Sequence, residues 1–173
     1  NYIKAIELDK KNKEYRSAQK KLLDLKNALT SAKKSFDKGL IDDAISEHEK
    51  LTVKYPEHAI VFYNLGLIYK ANEEYGLAVQ NYKKAKKLNP YAEKYSLAIN
   101  AICQMIAKEA DQEYRRQEFD LAIVKYKEAI SYNSAYTIAL FKLARTYYKL
   151  KDYENARISL QKGLLVDPNQ EQS

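Results

Sequence analysis

The 173-residue chain is poor in the residues that break or staple a backbone. It has four glycines, three prolines, one cysteine, one methionine and no tryptophan. So few breakers exclude a collagen-like or disordered chain and favour helix. A single thiol, Cys103, excludes an internal disulfide framework and a cysteine-based zinc site, and it assigns no compartment. No apolar run reaches the roughly 18 residues that a membrane span needs, so the chain is not expected to enter a membrane by itself; no signal-peptide pattern is present, and that absence carries little weight.

Catalytic and metal-binding patterns are missing as well. The two histidines, His48 and His58, have no ligand partner at helical spacing, and Cys103 has no histidine near it in sequence. No glycine-rich phosphate loop exists. The acidic pairs Asp42–Asp43 and Glu73–Glu74 stand at joints or helix starts, where free N–H groups favour carboxylates. These absences argue against an enzyme and predict no metal, no cofactor and no small-molecule substrate.

What is there is 46% apolar and 31% charged, with a net charge of +7 and 16 tyrosines. One dense basic cluster, Lys83 to Lys87, reads as a solvated helix face. Tyrosine with lysine is also the composition of a single-strand nucleic-acid binder. Here, however, Tyr69, Tyr75, Tyr82, Tyr126, Tyr147 and Tyr153 recur at fixed places in a repeat, so packing accounts for them.

That repeat organises the chain. Ala44, Ala78, Ala122 and Ala156 are separated by 34, 44 and 34 residues. Twelve residues before each stands a small residue (Ala32, Gly66, Ala110, Ala144), and twelve after stands Pro56, Pro90, Ser134 or Pro168. Each copy holds two amphipathic stretches with apolar steps of three and four, the period of a helix. The small residues fall where paired helices cross and let the backbones approach. Asn89–Pro90 reads as a capping residue followed by the first-turn proline of the next helix. A helical hairpin of this kind cannot bury its own apolar face, so neighbours must stack.

The pattern resembles the tetratricopeptide repeat (TPR) family. The second copy carries it at Leu65, Gly66, Tyr69, Ala78, Tyr82, Ala85 and Pro90, and the fourth at Leu143, Ala144, Tyr147, Ala156 and Pro168. The first and third copies match in their second helices and depart in their first, at Ser31, Ser35, Glu109 and Glu113. The resemblance implies an all-α solenoid of helical hairpins in a right-handed superhelix. Residues 1–12 look like the tail of a preceding repeat, which makes the chain a fragment of a longer array. Repeats then cover 13–58, 59–92, 93–136 and 137–170, and a tail covers 171–173, all in one domain.

Two stretches have no counterpart in an ordinary repeat: Lys13–Asp24, and Glu93–Ile102 with the sequence EKYSLAINAI. Both run without a breaker into a first helix. Tyr15, Ala18, Leu22, Leu25, Leu29, Ala32 and Phe36 form one continuous stripe, and Tyr95, Ala98, Ile102, Met105 and Ile106 another. The stretches therefore read as extensions of about ten residues, giving continuous helices over Lys13–Asp37 and Tyr91–Arg116 among nine in all. Leu22, Leu23, Leu97 and Ile99 on these extensions must be covered by the preceding repeat or by another chain.

In the family, partners bind on the concave side, lined by the first helices. Carried over residue by residue, the groove consists of Lys26, Leu29, Lys33, Phe36 and Asp37, then Ile60, Tyr63, Asn64, Leu67, Lys70 and Ala71. The third copy adds Gln104, Ala107, Asp111, Tyr114 and Arg115, and the fourth Ile138, Phe141, Arg145, Tyr148 and Lys149. An apolar and aromatic floor with basic neighbours suits a peptide or protein partner with apolar anchors and acidic flanks. The alternative for some of these positions is that they cover the helix extensions or are wrapped by further repeats of the array. The family's clamp for the acidic tails of heat-shock chaperones is broken here: Asn64 fits it and Lys108 matches in part, but Leu29, Lys33 and Gln104 do not, and the ten extra residues spoil the register. The expected function is a non-catalytic interaction scaffold. The alternatives are an array that self-associates through its long helices into a homo-oligomer, and a regulatory or targeting arm of a larger enzyme.

Overall fold

A computed structural model describes residues 13–168, and the secondary structure in that range is helical. Eight helices follow one another: α1 (Lys13–Asp37), α2 (Ile41–Lys54), α3 (Ala59–Ala71), α4 (Tyr75–Leu88), α5 (Lys94–Arg115), α6 (Phe119–Tyr132), α7 (Thr137–Lys149) and α8 (Tyr153–Val166). Each packs against the next in sequence, so the chain forms four hairpins stacked in a row. The ninth helix, expected over residues 1–12, lies outside the described residues.

The two long first helices are present. Neither α1 nor α5 contains glycine or proline, and they run for 25 and 22 residues where the other helices have 13 or 14. The second long helix begins at Lys94, not at Tyr91 as its sequence suggests. The reason lies in Asn89 and Pro90. Asn89 caps the end of α4, donating its backbone N–H to the Ala85 carbonyl at 3.0 Å. Pro90 and Tyr91 then form a turn in which Tyr91 is 97% exposed. Pro90 therefore follows a helix end rather than opening a helix.

The turn inside each hairpin is built alike. Gly39, Glu73, Gln117 and Lys151 share one column and all have positive φ, between 60° and 76°. The residue after each donates its N–H back to the first helix, as in Glu74 to the Tyr69 carbonyl at 2.9 Å and Asp152 to the Tyr147 carbonyl at 3.0 Å. This is the left-handed helix stop that satisfies otherwise orphaned carbonyls.

Small residues set the spacing within hairpins. Ala44, Ala78 and Ala122 are completely buried. At Gly66 a Cβ would stand 2.5 Å from the Tyr82 ring, so the ring lies directly on the glycine and any larger residue would have to displace it. Where the first helices depart from the repeat pattern, polar pairs replace apolar contact. Ser35 donates to Glu47 at 3.0 Å, and Lys125 to Glu109 at 2.5 Å.

The α5 extension lies on the preceding hairpin. Tyr95 packs with Phe62 and Ala85, while Ile99 and Ile102 join the main core with Val79 and Tyr82. Leu97, which points away, is 57% exposed. Along α1 the equivalent places hold Ser17, Lys21 and Asp24, all exposed, and Leu22 and Leu23 are about half exposed.

Candidate functional site: clefts along the first helices

Two pairs of first helices, α1 with α3 and α5 with α7, leave gaps between them, and in each pair a second-helix side chain forms the floor of one gap. One cleft, of about 120 Å3, lies between α1 and α3, with Lys33, Phe36, Asn64 and Leu67 around it and His48 of α2 beneath. A second, of about 290 Å3, continues it toward the α1 extension, along Leu22, Lys26, Leu29 and Lys33. A third, of about 250 Å3, lies between α5 and α7, lined by Asp111, Tyr114, Arg115, Lys142 and Arg145 over Tyr126 of α6. The fourth, of about 570 Å3, is the open face of the last hairpin, where Phe141 and Tyr148 meet Tyr153 and Leu160.

The α1–α3 cleft is apolar and electrically quiet. The Lys33 ammonium is held by Asp37 at 2.6 Å, one turn along the same helix. His48 is 2% exposed, and its Nδ1 lies 2.9 Å from the Ala44 carbonyl. Burial lowers its pKa, against the smaller opposing effects of Ala44 and Glu47, so the imidazole at the floor is neutral at neutral pH.

The α5–α7 cleft is polar. Asp111 accepts hydrogen bonds from Tyr126 at 2.6 Å and from Lys142 at 2.5 Å. Partial burial alone would raise the Asp111 pKa. The two hydrogen bonds, with the charges of Lys142 and Arg115, outweigh it and hold the carboxyl below its usual range. The Arg145 guanidinium sits 5.1 Å from the centre of the Tyr114 ring. The Tyr114 hydroxyl is buried with no hydrogen-bond partner.

Many of the groove residues read from sequence meet in these clefts: Lys26, Leu29, Lys33, Phe36, Asn64, Leu67, Tyr114, Arg115, Phe141, Arg145 and Tyr148. Others do not. Ala107 is core, at 2% exposure, and Ile60 packs half-buried beside Leu25. Tyr63 is half-buried between Tyr82 and Tyr95, with ring centres 5.7 and 5.5 Å away, and Lys94 covers its face. The α5 extension thus supplies two of the side chains packed around the Tyr63 ring. Phe141 is also partly structural, since its ring fills the space left by Gly163. Lys70, Ile138 and Lys149 line none of the four clefts.

Lys142, Tyr126 and His48 were not among the expected groove residues. For Lys142 the signal existed: it stands in the column of Asn64, which was included. The two floor residues lie on second helices, outside a rule that counts only first-helix positions. Among the described residues no cluster of three or more His, Cys, Asp or Glu side chains forms a metal cage, and no helix is long and apolar enough to cross a membrane. The Cys103 thiol is buried against the Ala129 carbonyl at 3.3 Å, and burial raises its pKa to about 11, so it is inert as a nucleophile at neutral pH.

Three family models match the chain: tetratricopeptide repeat over residues 59–91, TPR repeat over 110–151, and tetratricopeptide repeat over 137–170. Comparison with curated proteins gives no match. Among solved structures, a crystal structure of MamA is 21% identical, with 99% of this chain and 88% of that chain covered and a TM-score of 0.38. YrrB, described as a TPR protein with an unusual peptide-binding site, is 15% identical, with 98% and 94% covered and a TM-score of 0.40. MamA from residue 41 to its end, from Desulfovibrio magneticus RS-1, is 12% identical, with 85% and 97% covered and a TM-score of 0.41.

Proposed function

Because the chain belongs to the tetratricopeptide repeat family, we propose that it is a non-catalytic scaffold holding a protein partner's peptide segment against its first helices. The observation that carries this reading is the exposed apolar lining of the α1–α3 cleft. Phe36 is half-buried and Leu67 is 39% exposed, and both face a gap that no other part of the described chain fills. The structural role of the repeat does not require apolar residues there, because the column of Phe36 also holds Lys70 and the column of Leu67 also holds Lys33, Asp111 and Arg145. Apolar surface in a gap lined by Lys33 and Asn64 suits a side-chain anchor on an otherwise polar peptide. The surplus of cations beside Arg115 and Arg145 suits acidic flanks and acts mainly on association rate.

Site-specific photo-cross-linking tests the reading. A photoreactive residue placed at Leu67 is expected to capture a partner polypeptide, whereas one at Val124, which is 62% exposed on the outer helix α6, is not. Capture from Val124 and not from Leu67 would place the interface on the outer surface. The second reading is self-association. It is favoured by Leu22 and Leu23, adjacent on α1 and 50% and 55% exposed.

A further inference from the structure

The fold repeats with a period of two hairpins, and adding 78 to each residue number carries one cleft onto another. Lys33, Phe36, His48, Asn64 and Leu67 become Asp111, Tyr114, Tyr126, Lys142 and Arg145. The position is shared and the chemistry is opposite. In the first module the Lys33–Asp37 pair is closed upon itself, which leaves Phe36 and Leu67 as the working walls. In the second module the order of charge along the helix is reversed, with Asp111 and Arg115 in those two places. Asp111 is then taken from across the gap by Lys142 and from below by Tyr126. Arg115 and Arg145 consequently have no ion-pair partner among the described residues, whose salt bridges all involve other cations. Two guanidinium groups without a salt bridge, Arg115 acting on Asp111 through its charge and Arg145 lying over the Tyr114 ring, border one cleft with the orphaned Tyr114 hydroxyl.

We infer that the two equivalent clefts form a bipartite docking site for one acidic peptide, with an apolar side chain in the first and a carboxylate about six residues away in the second. This deepens the groove reading above and rests on it. The spacing follows from geometry. The clefts are two repeats apart, which is about 20 Å if neighbouring first helices are about 10 Å apart. An extended chain covers that distance in about six residues at about 3.3 Å each. Guanidinium groups accept a carboxylate or a phosphate in a two-pronged geometry. A carboxylate is assigned because Asp and Glu side chains supply it in an unmodified peptide.

The test uses the whole chain as bait for a library of random linear peptides of about twelve residues, long enough to span both clefts at about 3.3 Å per residue. Selected peptides are expected to pair an apolar residue with Asp or Glu at a constant spacing of about five to seven. Synthetic versions then give affinities. Replacing the acidic residue by Gln is expected to weaken binding at least about fivefold on the wild-type chain and not at all on Arg115→Gln/Arg145→Gln, the coupling signature of direct contact. A peptide with Lys in that place is expected to recover binding on Arg145→Glu, a rescue that damage to the fold would not produce. Apolar and acidic residues at random spacing, with binding still lost on Leu67→Glu, would overturn the bipartite register and leave the groove reading standing. Binding untouched by both Leu67→Glu and the arginine changes, or no selected peptides at all, would overturn both. A phosphoserine peptide binding more than about tenfold tighter than its Glu counterpart would overturn the assignment of a carboxylate.

Discussion

Tyr126 donates a 2.6 Å hydrogen bond to Asp111 on the neighbouring first helix, whereas Tyr82, in the same column one repeat earlier, buries a hydroxyl that bonds nothing. Both rings are essentially inaccessible, at 2% and 0% exposure. The place that Asp111 occupies is taken by Leu67 in the earlier repeat. Tyr82→Phe removes an unsatisfied buried group and is expected to be neutral or stabilising by about 1 kcal/mol. Tyr126→Phe breaks a bond to a charged acceptor and is expected to cost about 1.5–3 kcal/mol. Chemical denaturation of the two variants side by side measures the contrast, and equal effects would refute it.

Two groups give the stability of the chain a dependence on acid. The folded pKa of His48 is lowered by burial from its ordinary 6.5, so below that pH the unfolded chain takes up the proton first and stability falls. The folded pKa of Asp111 lies below its ordinary 3.8, so its contribution is complete at neutral pH and is lost as pH falls through the folded value. Melting temperature should therefore decline in two steps on acidification. His48→Leu, which places the residue type of Leu160 in that column, is expected to remove the step below pH 6.5, and Asp111→Asn to reduce the lower one, to which the surface carboxylates of Asp152 and Glu154 also contribute. A single decline unaffected by His48→Leu would show that the histidine does not act this way.

Most of the fold was legible because stripes with steps of three and four, small residues at crossings and polar joints all point to the same hairpins. The long helices were legible for the same reason, down to the ends of α1. The start of α5 was not, because Asn and Pro signal both a helix end and a helix start, and only the bond from Asn89 to Ala85 decides between them. The clefts were legible by halves. Residue columns identify which side chains face the first-helix surface, but a cleft is made by pairs from different helices. Asp111 and Lys142 are 31 residues apart and meet only once α5 and α7 are in contact. The surroundings of Tyr63 were illegible for a related reason, since the side chains that pack on it, Lys94 and Tyr95, belong to the inserted extension.

The hairpin turns offer a stabilising change that leaves the clefts alone. Glu73, Gln117 and Lys151 hold the left-handed conformation that glycine takes at Gly39. That conformation costs a residue with a Cβ about 1–2 kcal/mol, partly offset by the greater freedom of glycine when unfolded. Lys151→Gly and Glu73→Gly are each expected to stabilise by up to about 1 kcal/mol, a rise of about 2–4 °C in Tm for a chain of this size. Gly39→Ala should lower Tm by a similar amount. Thermal melts of the three variants decide the matter, and a fall in Tm for Lys151→Gly would show that its side chain supplies more than the strain costs.

The α5 extension separates packing from assembly within three residues. Ile99 is 5% exposed in the core beside Val79 and Tyr82, while Leu97 is 57% exposed. Ile99→Lys buries an unpaired charge and removes a core side chain, so a loss of at least about 3 kcal/mol is expected. Leu97→Glu changes a surface position and should remain within about 0.5 kcal/mol of the parent. Sedimentation then asks what covers Leu97. If the extension is satisfied by its own preceding hairpin, Leu97→Glu leaves the mass of the particle unchanged over the whole concentration range. If the parent chain is a dimer and Leu97→Glu alone converts it to a monomer with an unchanged Tm, the exposed edge of α5 is an interface between copies, and the intramolecular account of the extension fails.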